Sequence, residues 1–308
     1  MSVVTNVFED HLGQDGVNTV AELAVVKARL PEHTRPDGVT VLNGDLPLVR
    51  EMASRTPAHP VFFSLGEPRD SWEDCFFLRD GVIFRKRGGE KERVLSADQV
   101  FLSHGGAVTF QIANAMAVLA VIEALQPWLP VTRASLEHSL ATFGRDPQDL
   151  PGRMQLFRYQ GADVLLSHSK NPETYAQEIP LLRRLADAHG YRRVVCILSN
   201  VGNRRAEHYR AVSRAVGVLG DVVACVPPKD EYLRGRSGDE IVELLAAEIP
   251  PEKLARPGCV PFAELAARFQ PAGSEPTLFI SLATGISGAI DVDDVLAHGE
   301  LLPMRFDA

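Results

Sequence analysis

The sequence predicts an α/β protein built as two lobes, and three observations carry that prediction. In the second half, short apolar, β-branched runs alternate with amphipathic stretches at helical spacing, the pattern of a parallel sheet with right-handed crossovers. The first half alternates in the same way around one hairpin signal. Separating the two is GRDPQDLPGR (144–153), polar and rich in proline and glycine, as connecting segments are. A chain of 308 residues has the length for two domains, placed here at 1–146 and 150–308.

The elements follow in order. Met1 and Ser2 lead into VVTNV, a β-branched run that reads as a buried strand and suggests that something precedes it. Residues 18–30 place Val20, Leu23, Ala24 and Leu30 at helical spacing, with Asn18 or Thr19 as cap. VTVLN (39–43) is a short strand, 47–54 a helix and VFFSL (61–65) a strand. FFLRDGVIFRKR (76–87) is a hairpin turning at Asp80–Gly81. Residues 110–126 form the most apolar helix, so a buried one, and 132–143 a second. Beyond the connector, strands are expected at 162–166, 193–198, 221–226 and 277–281, and helices at 173–189, 205–217, 237–247 and 261–269. Ligands in such sheets bind at the carboxyl ends of strands, here the loops 167–172, 199–205 and 227–236.

Bulk properties narrow the function. Hydrophobic residues make up 45% and charged residues 23%, ordinary for a globular protein. A net charge of -8 gives no electrostatic reason for nucleic acid or an anionic membrane as partner. Local pairs such as Arg204–Arg205 and Arg234/Arg236 suit a small anion. The cysteines at 75, 196, 225 and 259 form no metal-ligand pair and fit a reducing compartment. With no signal peptide and no run long enough to span a bilayer, the chain reads as cytoplasmic.

Several motifs carry chemistry. TNVFEDHLG (5–13) ends a strand and presents Asn6, Glu9, Asp10 and His11; a carboxylate and an imidazole there can hold a divalent cation or water. Lys27 follows on the next helix, then VLNGDLPLV (41–49) with its Asn–x–Asp pair and proline. FQIANAMAVLA (110–120), LPGRMQLFRYQGADVLLSHSKNP (150–172), SNVGNRRAEHYRAV (199–212) and EYLRGRSGDEIVELL (231–245) complete the series. In this order and spacing the chain resembles the Mur ligase family over nearly its whole length. The last segment is similar to a Leu–Arg–Gly–Arg stretch of cyanophycin synthetase-like ligases.

The resemblance implies a truncated central domain with a β-hairpin insertion, followed by a Rossmann-like parallel-sheet domain. It implies ATP and Mg2+ as cofactors and an amino-acid or peptide substrate. It assigns His11 to the second magnesium ion, and Lys27 to carbamylation, which turns a cation into a metal-binding anion. Asn6 belongs to the nucleotide side, Gln111 and Asn114 to the adenine, and Ser167 and Lys170 to the loop that meets the ribose. Arg153 would reach the γ-phosphate, so that His11, Lys27, Asn114 and Arg153 serve one adenylate site. Asn171, Arg204, Arg234 and Arg236 would approach the incoming substrate, the arginines through its carboxylate. Each also has a plainer reading: Lys27 and the arginines as solvated charges, Asn114 as a buried amide satisfying a loop.

Departures from the family pattern matter as much. No Gly-x-x-x-x-Gly-Lys-Ser/Thr loop is present, and the dipeptide Gly–Lys occurs nowhere; that loop wraps the β- and γ-phosphates in backbone amides. Ser167 stands where the family has Asp, Lys170 where it has His, and Asn203 where it has Asp. Two functional readings follow. One is a component or fragment of an ATP-dependent amide ligase that acts through an acyl phosphate, its phosphate loop supplied by a partner chain. The other is a non-catalytic binding or regulatory subunit. An open sheet edge near residues 2–7 predicts a partner or self-association there.

Overall fold

A computed structural model describes residues 1–10, 12–282 and 284–306. The chain divides into two compact units, Met1–Phe8 with Gln14–Arg145 and Glu9–Gly13 with Asp146–Ala308. Each holds a parallel-rich sheet flanked by helices. No described helix is long and apolar enough to cross a membrane.

The first unit contains β1 (Ser2–Val4), α1 (Val20–Glu32), β2 (Val39–Asn43), α2 (Pro47–Arg50), β3 (His59–Ser64), β4 (Asp74–Arg79), β5 (Val82–Arg87), β6 (Glu90–Ser96), α3 (Thr109–Leu125) and α4 (Arg133–Thr142). The strands lie in sequence order; β1 to β4 run parallel, and β4, β5 and β6 antiparallel. Thr19, not Asn18, caps α1: its hydroxyl accepts from the Glu22 amide while the Glu22 carboxylate accepts from the Thr19 amide. The β4–β5 turn rests on Asp80 (φ 48°) and Gly81 (φ 70°), the left-handed pair a tight hairpin requires. The stretch expected as one helix at 47–54 splits into α2 and a 3-10 turn, Glu51–Ser54. β6 escaped the sequence reading because EKERVLS is charged, the composition that suits an edge strand.

Helix α3 packs on β2, β3 and β4 through Ile112, Met116, Leu119 and Ala120. Its sequence is mostly apolar, and Val118 on its outer side is 44% exposed. Val25, Val26 and Leu30 on α1 are also exposed.

The second unit contains β7 (Gln155–Tyr159), β8 (Ala162–Leu166), α5 (Pro172–Ala188), β9 (Arg193–Leu198), α6 (Ala206–Leu219), β10 (Val222–Cys225), α7 (Gly238–Ala246), β11 (Leu254–Ala255), α8 (Phe262–Phe269), β12 (Thr277–Ser281), α9 (Val292–His298) and β13 (Glu300–Leu302). Its sheet runs β11-β10-β9-β12-β8-β7-β13. The first five are mutually parallel, and β7 and β13 are antiparallel additions. Near-continuous apolar strands such as RVVCIL are buried on both faces, as parallel strands between helices are. Phe157, Val164, Val195, Phe262, Leu265 and Phe279 fill one face. The C-terminal segment finishes this sheet: Asp291 caps α9, and β13 pairs with β7.

Adjacent β9 and β12 lead onward in opposite directions, β9 to β10 on one side and β12 past β8 and β7 to β13. The carboxyl ends beside this divergence are where such sheets bind ligands.

Candidate functional site

In the first unit, the implied nucleotide-side residues lie at strand ends and on helix surfaces. Asn6 is exposed just beyond β1, and Lys27 is exposed on α1. Gln111 and Asn114, one helical turn apart, meet on the outer side of α3, where the Asn114 amide donates to Gln111 Oε1 at 3.1 Å. His11 lies outside the described residues. The Asn43–Gly44–Asp45 turn, singled out as a motif, has structural work. Asn43 Nδ2 donates to the Thr5 carbonyl at 2.9 Å, and the Leu65 amide donates to Asp45 at 2.8 Å. These side chains therefore tie the carboxyl ends of β1, β2 and β3 together. Gly44 is required there because a Cβ would come within 2.1 Å of the Trp72 ring.

In the second unit, polar and cationic groups collect at the carboxyl ends of β8, β9 and β10. The loop after β8 begins at Ser167, which is wholly buried and donates to the Glu178 carboxylate at 2.7 Å. Glu178, on α5, is 5% exposed; burial raises its pKa, against hydrogen bonds from Ser169 and Ser167 and the charge of Arg153. His168 donates from Nδ1 to the Thr284 carbonyl at 2.6 Å. Burial, with Lys170 and Arg153 nearby, pushes its pKa down to about 4. Lys170 is half-buried, and its pKa is lowered first by burial and then by Arg153, Arg204 and Arg234, while Asp10 opposes them. Asn171 caps α5, its side-chain oxygen accepting from the Thr174 amide and hydroxyl at 2.9 and 2.7 Å.

The loop after β9 carries Arg204, whose side chain is only 4% exposed and pairs with Asp10. One terminal nitrogen reaches Asn203, and Nε is enclosed without a hydrogen-bond partner. Burial lowers the Arg204 pKa. His208 on α6 donates from Nε2 to the Lys170 carbonyl at 2.8 Å and sits 3.9 Å from Glu9. The Glu9 amide in turn donates to Glu173 at 2.9 Å. Arg236 reaches the Gly202 carbonyl and lies over the Tyr209 ring at 5.6 Å. Arg234 is exposed with φ 44°, beside Tyr232, and Arg153 is exposed at the start of the unit.

Arg153, Arg204 and Arg234 thus all act on the charge of Lys170. Ser167 and Asn171 instead turn their side chains inward, to Glu178 and to the start of α5. Two participants, Glu178 and His208, gave no functional signal in the sequence, and Asp10, read there as a candidate cation ligand, pairs instead with Arg204. Glu178 and His208 could have been found, because each interrupts the apolar stripe of its helix. Glu178 falls among Tyr175, Leu181, Leu182 and Leu185, and His208 among Tyr209, Val212 and Val216. Among the described residues, no three His, Cys, Asp or Glu side chains gather as a metal ion would need.

Comparison with known proteins adds to this geometry. Residues 1–122 match the family model of the Mur ligase middle domain. The cyanophycin synthetase of Nostoc sp. is 27% identical over 81% of this chain and 27% of its own length. The UDP-N-acetylmuramoylalanine–D-glutamate ligase of Nitrosospira multiformis is 27% identical over 73% of this chain and 42% of its own. The chain therefore spans about a quarter of the length of the curated cyanophycin synthetases it matches. Among solved structures, MurF ligase from Thermotoga maritima in complex with ADP superposes with a TM-score of 0.58 at 18% identity, covering 96% of this chain and 60% of that one. Folylpolyglutamate synthase from Thermotoga maritima gives 0.53 at 13% identity, covering 91% and 58%. Those two likenesses are of fold.

Proposed function

We propose that this chain, a relative of the Mur ligases through residues 1–122 and of cyanophycin synthetase over most of its length, is a component of an ATP-dependent ligase that joins a carboxylate to an amine. The observation that carries the reading is the cation group at the carboxyl ends of β8, β9 and β10. A half-buried lysine and a buried arginine share a field with Arg153 and Arg234, and Asp10 opposes it. Preorganised cations of this kind stabilise charge on a transferring phosphoryl group and hold a substrate carboxylate. In this reading the domains are 1–146 and 150–308, Arg153 serves the γ-phosphate, and Arg204, Arg234 and Arg236 serve the amine substrate.

The residues fit the nucleotide and its metal in part. The exposed Gln111–Asn114 amide pair can present a donor and an acceptor to a base edge. Lys27 is exposed, so dissolved carbon dioxide can reach its amine. The β- and γ-phosphates have no glycine-rich cradle in this sequence, so no phosphoryl-transfer step is assigned to the chain by itself. A partner carrying that loop completes the proposal. Support for it comes from β1, a three-residue strand that among the described residues pairs with β2 alone, at the rim of its sheet, and from the exposed Val25, Val26, Leu30 and Val118. A cytoplasmic location accords with four free thiols, three of them buried.

A second reading, a non-catalytic subunit, is favoured by the inward turn of Ser167 and Asn171. Calorimetric titration with Mg-ATP separates the two. The ligase reading expects binding that weakens about tenfold or more in Asn114→Ala and Arg153→Ala, the loss of one or two good polar contacts. Lys27→Ala should abolish amide formation reconstituted with a phosphate-loop partner while leaving the fold unchanged. Undetectable nucleotide binding with and without that partner would leave the non-catalytic reading standing.

A further inference from the structure

The turn between α3 and α4 presents apolar surface that no role assigned above accounts for. Trp128 is 76% exposed and Leu129 51%, although burying either side chain would withdraw a large apolar area from water. The turn is held in place: the Trp128 and Leu129 amides both donate to the Leu125 carbonyl, at 2.9 and 2.8 Å, and Gln126 Nε2 donates to the Val131 carbonyl at 2.7 Å. Pro127 and Pro130 fix the backbone on either side of the pair. An indole displayed in this way loses little conformational freedom on binding. Beside it, between α3, α4 and the strands β4 to β6, lies an open cleft of about 220 Å3. Phe76, Leu119, Ile122, Val131 and Leu136 give it apolar walls, and the exposed Glu92 stands at its edge. That volume is below the ~300–1,000 Å3 of pockets for whole cofactors and suits one large side chain.

We propose that this face pairs two copies of the chain about a two-fold axis, Trp128 of each filling the cleft of the other. Anchor and socket sit side by side on one surface, and a surface that carries both halves of a contact is complementary to itself and closes at two copies. A different partner would need only one of the two. Charge agrees with this. α3 has a single ionised side chain, Glu123, held by Arg85 at 2.8 Å and by Arg87. At the cleft edge Arg133 lies 3.4 Å from Glu92 and 2.8 Å from Glu137. These charges are balanced within their own chain, so a second copy of the face brings no like-charge repulsion. A buried indole N–H needs an acceptor, and the Glu92 carboxylate supplies it. The cleft lies at the β4–β6 end of the sheet, away from the β1 rim, so this pairing does not depend on a phosphate-loop partner at β1.

Sedimentation velocity of the full chain across a dilution series tests the pairing. A dimer is expected, with Trp128→Ala weakening it about thirtyfold or more, the usual worth of a buried aromatic anchor. Trp128 is exposed, so this variant keeps the fold of the single chain. Val131→Trp obstructs the cleft and should weaken the dimer as well. Mixing the two variants is the sharper measurement: one offers open clefts without anchors, the other anchors without open clefts, and a mixed pair regains one contact. The mixture should therefore dimerise more tightly than either variant alone. Emission from Trp128 should move to shorter wavelength as the concentration of the unaltered chain rises, while Trp72, already buried, contributes a constant signal. Should Val131→Trp fail to fold, Trp128→Ala and the emission carry the test. A chain that stays monomeric at every concentration overturns the proposal, and so does a dimer that Trp128→Ala leaves intact. Short-wavelength emission that does not change on dilution would place the indole in its own cleft and overturn it too. Assemblies that grow beyond two copies would do the same.

Discussion

Replacing Gly202 with alanine probes how closely the loops after β9 and β10 approach. A Cβ built at Gly202 falls 1.7 Å from the Leu233 carbonyl oxygen and 2.6 Å from its carbon, where ordinary contacts begin near 3.4 Å. The obstacle is backbone, so no side-chain rotation relieves it. Gly202 is not among the glycines with positive φ, and its penalty is one of space alone. Accommodating a methyl forces the loops apart and breaks the Gly202 amide to Tyr232 carbonyl bond of 2.8 Å, along with the Arg236 contact to the Gly202 carbonyl. Overpacking costs ~1–3 kcal/mol, a backbone hydrogen bond ~1 and a charged one ~1.5–3, giving about 3–5 kcal/mol after partial relaxation. Urea unfolding followed by circular dichroism measures the loss, and hydrogen exchange should rise in peptides covering 199–205 and 227–236. A loss below about 1 kcal/mol with unchanged exchange would refute the close approach.

Other outcomes can be checked the same way. His168 has a folded pKa of about 4 against an ordinary 6.5, so the unfolded chain binds the proton better. Its contribution to stability is full above pH 6.5 and is lost as pH falls towards 4; His168→Gln should flatten the fall in urea midpoint between pH 7 and 5. Arg85 lies buried between Asp74 and Glu123, 2.8 Å from each, with its guanidinium 4.9 Å from the Phe76 ring centre. Arg85→Ala removes a buried bridge between two carboxylates that both keep Arg87, and should cost about 1–3 kcal/mol, read from Trp72 fluorescence in denaturant. Tyr175 is wholly buried, its hydroxyl 2.9 Å from both the Ser169 and Leu282 carbonyls. Tyr175→Phe should cost about 1–3 kcal/mol and quicken exchange in the loops after β8 and β12.

Much of the fold was legible because period and turn chemistry agree. VTVLN, RVVCIL and TLFIS are strands at the expected positions, since a β-branched run bounded by turn residues has few alternatives. The hairpin at Asp80–Gly81 was legible for the same reason. What failed was charged or short: β6 hides its strand in alternating Glu, Lys and Arg, and β11 is two residues long. At the site, Lys170, Arg204 and Arg234 could be named from loops whose order resembles a family. The Asp10–Arg204 pair spans 194 positions, and a single sequence offers no periodicity that links such distant residues. Ser167 was read as facing a ligand because its place in the loop is all the sequence shows, whereas the carboxylate that accepts its hydrogen bond comes from α5.

The second unit is discontinuous in sequence, and this constrains how it can be excised. A piece beginning at Asp146 would carry every strand and helix of that unit but omit Glu9–Gly13. It would thereby lose the carboxylate paired with Arg204 and part of what encloses that cation. Such a truncation should be less stable than the same stretch within the intact polypeptide, and adding a peptide that spans residues 5–16 should recover part of the difference.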